Sequence, residues 1–181
     1  MDGDENIKKR ISLINNFDYK EHKSLVKTEI TEEENKYIYK QKHLKVKRIT
    51  QLKKSDFFDL SDSLEYFSRI DFVHADLNRK NIIYTEDGFK IIDYEPSIKQ
   101  IKNNVEQLMV TIPYVIKDEL KSKVITKLTD KIGYYYFILR VNGNLSSMDV
   151  VKLSKTLRHK NKIDRCFVDF NYGEILDYAY N

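Results

Sequence analysis

Three oxygen-bearing side chains, Asp76, Asn81 and Asp93, lie five and twelve residues apart within FVHADLNRKNIIYTEDGFKIIDYEPS, residues 72–97. An amide carbonyl and a carboxylate are hard ligands suited to Mg2+, which takes few protein groups and keeps waters and phosphate oxygens around it. A further carboxylate beside such a pair can accept a hydroxyl proton or orient a nucleophile. Phosphoryl transfer asks a protein for little beyond metal, positioning and positive charge. The residue types and spacing therefore point to phosphoryl transfer. They do so in a chain with one glycine, Gly3, ahead of Gly88, so no glycine-rich phosphate loop is expected within residues 1–87.

Positioning these groups requires a hairpin. NIIYT and FKIIDY read as two strands, and EDG between them reads as a tight turn with Gly88 free to take a positive φ. A hairpin joins its two ends, so Asn81 and Asp93 are expected to be neighbours, with Asp76 on the loop beside them. FVHAD reads as a short strand feeding that loop. Upstream, SDFFDLSDSLEYFSRI places Phe57, Leu60, Leu64 and Phe67 on one helical face, with Ser55 or Asp56 as its cap. Ile7, Ile11 and Ile14 predict a helix over about 4–17. SLVKTEI and KYIYKQKHLKV read as strands joined by the polar TEEEN. Past Asp93 an irregular stretch is expected to about 113, then helices near 114–123, 129–141, 147–159 and 173–180. Ser146 or Ser147 with Asp149 can cap the third of these. The fold class is α+β, strand-rich first and helical after.

The bulk properties narrow the setting. The 181 residues suffice for one domain or two small lobes sharing a cleft. Cys166 is the only cysteine, so no intrachain disulfide can form, and the default expectation is a reduced, cytoplasmic protein. An effector exported without a cleaved signal would share that composition. No apolar run is long enough for a membrane span, and the N-terminus lacks a signal-peptide pattern. Net charge is only +4, yet eight Lys/Arg and no acid fall between Lys36 and Lys54. Such a run reads first as a solvated face and second as a phosphate-facing or acidic-partner surface. No stacking platform accompanies Tyr37 and Tyr39, so nucleic acid is not the expected partner. His22, His43 and His159 have no metal-ligand spacing, and Cys166 in CFVDF reads as a buried thiol.

HADLNRKN resembles the catalytic loop of the protein-kinase-like superfamily, His-x-Asp-Leu-x-x-x-Asn, and IIDYE resembles its metal-binding Asp-Phe-Gly segment. TIPYVIKDEL (111–120) is similar to the end of an activation segment, with Asp118 where that family has Glu. TDKIGYYYF (129–137) is similar to the start of the following buried helix, whose Asp supports the catalytic loop; Asp130 would be that residue. The likeness covers about residues 4–141. It implies a kinase-like fold, with a reduced N-lobe over 1–50 (helix plus hairpin) and a helical C-lobe over 51–181. The catalytic loop would be 74–81 and the metal-binding segment 93–95. Asp76 would be the catalytic base, Asn81 and Asp93 would hold Mg2+ for ATP, and His74 would brace the loop. Lys80 would supply the charge at the γ-phosphate that serine/threonine kinases provide two residues earlier, where Asn78 stands.

The chain departs from that pattern in ways that leave several readings open. If residues 4–17 are the regulatory helix, the first three strands and the strand lysine that grips the phosphates are absent; Lys40 or Lys42 could serve from the hinge side. Alternatively SLVKTEI or KYIYK is the third strand, with Lys27 or Lys40 as the phosphate lysine. The activation-segment likeness favours a protein substrate. Glu95, where protein kinases have Gly, favours a small hydroxylated one, as in aminoglycoside, choline and lipopolysaccharide-core kinases. The further alternatives are a pseudokinase kept as a binding module and a split kinase whose N-lobe a partner chain completes.

Overall fold

The computed structural model describes residues 3–33, 36–94, 124–143 and 167–181, with Glu119, Ser146, Asp149 and Lys152; of residues 3–6 it describes the backbone only. The class is α+β, with two small antiparallel sheets of two strands each among the described residues. The order is α1 (Gly3–Asn15), β1 (Thr28–Glu33), β2 (Lys36–Gln41), a 3-10 turn (Lys54–Phe57), α2 (Phe58–Arg69), β3 (Ile82–Thr85), β4 (Gly88–Ile91), α3 (Lys127–Val141) and α4 (Tyr172–Tyr180).

The helix α1 buries Ile7 and Ile14 and stops two residues before the expected end. Asn15 explains the stop. Its side-chain amide donates to the Ile30 carbonyl (2.9 Å) and accepts from the Ile30 N–H (2.8 Å), so it pairs with β1 as a strand residue would. That clamp fixes α1 against the hairpin. The hairpin itself is shifted from its expected bounds. Ser24 and Leu25 lie outside it and instead meet β4, where the Ile91 N–H donates to the Ser24 carbonyl at 2.7 Å. Residues 42–53 are not strand; they run extended past β3, with the Lys47 N–H on the Tyr84 carbonyl at 2.8 Å. A charged, exposed stretch has no second apolar face to give a sheet, so pairing ends at Gln41.

The expected face of α2 is the observed one: Phe57, Leu60, Leu64 and Phe67 are all buried. Its start is a 3-10 turn in which the Asp56 carboxylate accepts from the Lys53 N–H at 2.7 Å. Its end aims the chain at the loop. Asp71 takes the left-handed conformation (φ 57) that usually falls to Gly, and the Phe72 N–H reaches back to the Phe67 carbonyl at 2.8 Å. The Phe67 and Phe72 rings, 4.6 Å apart, supply the apolar contact of this helix-ending motif.

The hairpin β3–β4 has the expected register, Ile82 opposite Ile91 and Thr85 opposite Gly88. Gly88 sits at φ 88, which a side chain would resist. Phe89 packs on Phe57 (4.9 Å) and Phe137 (5.3 Å), seating the hairpin on the helices. Helix α4 packs against both α2 and α3. It begins with a reciprocal cap in which the Glu174 N–H meets Asn171 Oδ1 (2.8 Å) and the Asn171 N–H meets Glu174 Oε2 (2.7 Å). One cluster of buried apolar side chains runs from Ile7 to Leu176. The helices expected near 114–123 and 147–159 fall almost wholly outside the described residues, as do Cys166 and most of 111–120; of the expected cap, Ser146 Oγ accepts from the Asp149 N–H (3.2 Å) and the Asp149 carboxylate accepts from the Ser146 N–H (3.0 Å).

Candidate functional site: a braced loop with three oxygen-bearing side chains

FVHAD is not a strand. Ala75 sits at φ 73, which breaks an extended run, and its backbone is satisfied elsewhere. The buried carboxylate of Asp130, in the first turn of α3, accepts from the His74 N–H (2.6 Å) and from the Ala75 N–H (2.9 Å). Asp130 thus supports residues 74–81 from below, as the family likeness implies.

His74 is fully buried and forms the second brace. Its Nε2 faces the Ile92 carbonyl at 2.9 Å, an acceptor, so Nε2 carries the proton. Burial holds the imidazole below its ordinary value, against the opposing pull of the Ile92 carbonyl and of the Asp76 and Asp93 charges. A neutral His74 therefore ties the loop to the end of β4, one residue before Asp93. Tyr94 anchors the other side of Asp93. Its buried ring lies edge-on to His74 (5.7 Å), and its hydroxyl accepts from the Val26 N–H (3.2 Å) and donates to the Ile91 carbonyl (3.1 Å).

Within the loop, Asn81 Nδ2 donates to the Asp76 carbonyl (2.9 Å) and to Asp76 Oδ2 (3.0 Å). Both partners are acceptors, so the amide nitrogen must face Asp76, and Oδ1 faces away from it. The Ile92 N–H donates to the Asn81 carbonyl at 2.9 Å, extending the hairpin so that Asp93 follows directly on a residue bonded to Asn81. Asp93 is exposed and sits at φ 60, a conformation costing a non-glycine residue about 1–2 kcal/mol. Asp76 is 9% exposed. The donor set of Asn81 Oδ1 and the two carboxylates is all hard oxygen and fits Mg2+. No group of three or more His, Cys, Asp or Glu side chains that could hold a metal occurs among the described residues.

The chain matches no protein-family model and no curated protein.

Lys80 is exposed at the loop tip, and its N–H donates to Asn78 Oδ1 at 2.8 Å. Lys40 is exposed on β2 opposite Glu29, on the other hairpin from Asn81 and Asp93. Glu95 and Asp118 lie outside the described residues. Glu119 was not singled out in the sequence, yet it is 2% exposed and caps α3. Its carboxylate accepts from the Thr126 N–H (2.7 Å), the Thr126 hydroxyl (2.5 Å) and the Thr129 hydroxyl (2.7 Å). Thr126 is the N-cap of α3, its hydroxyl accepting from the Leu128 N–H at 3.2 Å, and no local pattern marks Glu119, seven residues upstream, as its partner.

Burial pushes the Asp130 carboxyl up to about 7; the two backbone bonds oppose that, and the charges of Glu119 and Asp76 add to it. The folded chain thus binds this proton more tightly than the unfolded chain. The stability it contributes is full at pH below about 4 and is lost as pH rises to about 7. His74 has the opposite sign: its contribution is full above about pH 6.5 and falls as the unfolded histidine gains its proton. Thermal unfolding of the wild type beside Asp130→Asn separates the two. The advantage of the wild type is expected to shrink between about pH 4 and 7 and to stay level above.

Proposed function

We propose that this chain is a kinase-type phosphotransferase that moves the γ-phosphoryl group of ATP to a hydroxyl group. The observation that carries this reading is the double brace. Asp130 and His74 tie residues 74 and 75 to α3 and to the end of β4, Asn81 bonds Asp76, and the Ile92 N–H on the Asn81 carbonyl sets the residue before Asp93 beside Asn81. The kinase-like fold is part of the same proposal. Its supports are the buried helix Asp beneath the loop and α1 clamped to the hairpin by Asn15.

In this reading Asp76 lies beside the acceptor hydroxyl and takes its proton. Asn81 Nδ2 keeps the carboxylate turned toward that hydroxyl. Asn81 Oδ1 and Asp93 would hold Mg2+, which when bound offsets phosphate charge. Lys80, exposed at the loop tip, is placed to approach a γ-phosphate. A protein hydroxyl is the favoured acceptor; a small-molecule or lipopolysaccharide-sugar hydroxyl is the alternative. The exposure of Lys40 on β2, opposite Glu29, favours a second reading, a binding module or a kinase whose N-lobe a partner chain completes. Incubation of the whole chain with labelled ATP tests the proposal. Label is expected in the chain or an added hydroxyl acceptor with Mg2+ and not with chelator. Equal label in both would count against it.

A further inference from the structure

Arg10, on α1, rests on Phe72 with its guanidinium carbon 5.1 Å from the ring centroid. Its Nη1 is buried and has no acceptor. Burial lowers its basicity, and the charges of Asp71 and Asp130 only partly oppose this. A buried guanidinium N–H left without an acceptor is uncommon and costly, so the atom marks a place for a missing partner.

Arg10 lines a cavity of about 490 Å³ together with Asp71, Val73, Ile125, Lys127 and Lys131. That volume falls within the range of small-molecule sites, about 300–1,000 Å³. Lys127 and Lys131 stand one turn apart on α3, on the same face. Lys127 pairs with Asp71 at 3.0 Å, and Lys131 Nζ donates to the Val168 carbonyl at 2.8 Å. Glu65 and Asp169 also act on Lys131. Three cations therefore line the cavity against one lining carboxylate, Asp71, and that carboxylate is 88% exposed. Val73 and Ile125 add an apolar wall.

We propose that this cavity binds a phosphate monoester. A dianion with three terminal oxygens matches the fork of Arg10 and the two ammonium groups, and the apolar wall takes the organic part of the ester. The site is separate from Asp76, Asn81 and Asp93, and the proposal stands without the phosphotransfer reading. Its walls nevertheless belong to the parts that hold the loop. Val73 directly precedes His74, and Asp130 lies between Lys127 and Lys131 on α3.

Calorimetry on the whole chain without Mg2+ tests this, with phenyl phosphate, inorganic phosphate and benzoate as probes. Phenyl phosphate is expected to bind more tightly than either of the others. The Lys127→Gln/Lys131→Gln double variant, whose replaced side chains are partly exposed, is expected to keep its melting behaviour and lose about tenfold or more in affinity. Asp93→Asn is expected to leave the affinity unchanged. No binding of phenyl phosphate at millimolar concentration would overturn the proposal. So would equal affinity for benzoate or inorganic phosphate, or undiminished affinity in the double variant. Loss of binding in Asp93→Asn would also overturn it, by assigning the phosphate to the other site.

Discussion

Asp76→Asn is expected to lower phosphotransfer by about 10²- to 10⁴-fold while leaving the fold and nucleotide binding intact. The asymmetry follows from what the substitution keeps. An amide at position 76 still offers an oxygen to Asn81 Nδ2, and the Asp76 carbonyl, bonded to the same nitrogen at 2.9 Å, is backbone and unchanged. Only the ability to take a proton is lost. Turnover of labelled ATP by the variant beside the wild type, with melting curves for both, checks this. Equal turnover would remove Asp76 from the chemistry.

Asp130→Ala is expected to have the largest effect on stability, about 3–5 kcal/mol. It leaves two buried donors, the His74 and Ala75 N–H groups, without an acceptor at the centre of the core. Against a typical total of about 5–15 kcal/mol, that loss leaves the domain marginal. Asp130→Asn keeps one acceptor oxygen and is expected to cost less, about 1–3 kcal/mol. Urea unfolding of the two variants gives the ordering. A harmless Asp130→Ala would mean that α3 does not hold the loop.

What could be read from the sequence divides along physical lines. Periodicity located α1 and α2, because each has one apolar stripe: Ile7 and Ile14 in the first, Leu60, Leu64 and Phe67 in the second. The β3–β4 hairpin was legible for the same reason, with Gly88 marking the turn. Asp130 was found through a family likeness, since nothing local distinguishes a buried acid in the first turn of a helix from an exposed one. FVHAD misled because its apolar residues look like a strand. Its N–H groups are taken by a carboxylate 55–56 residues away, and no local pattern reports that. The Asn15 clamp on Ile30 escaped notice for the same reason: a side chain standing in for a strand leaves no periodic trace. Arg10 is half-buried against the Phe72 ring, a contact between distant residues that the spacing of α1 does not report.

The central claim is that Asn81 Oδ1 and Asp93 together hold one divalent ion for a nucleotide, on a loop fixed by Asp130 and His74. Titration of ATP into the whole chain by calorimetry, with and without Mg2+, tests it most directly. The account predicts nucleotide binding that requires Mg2+, falls sharply in Asn81→Ala and in Asp93→Ala, and persists in Asp76→Asn. Absence of Mg2+-dependent nucleotide binding in the wild type, or its survival in both ligand variants, would contradict it.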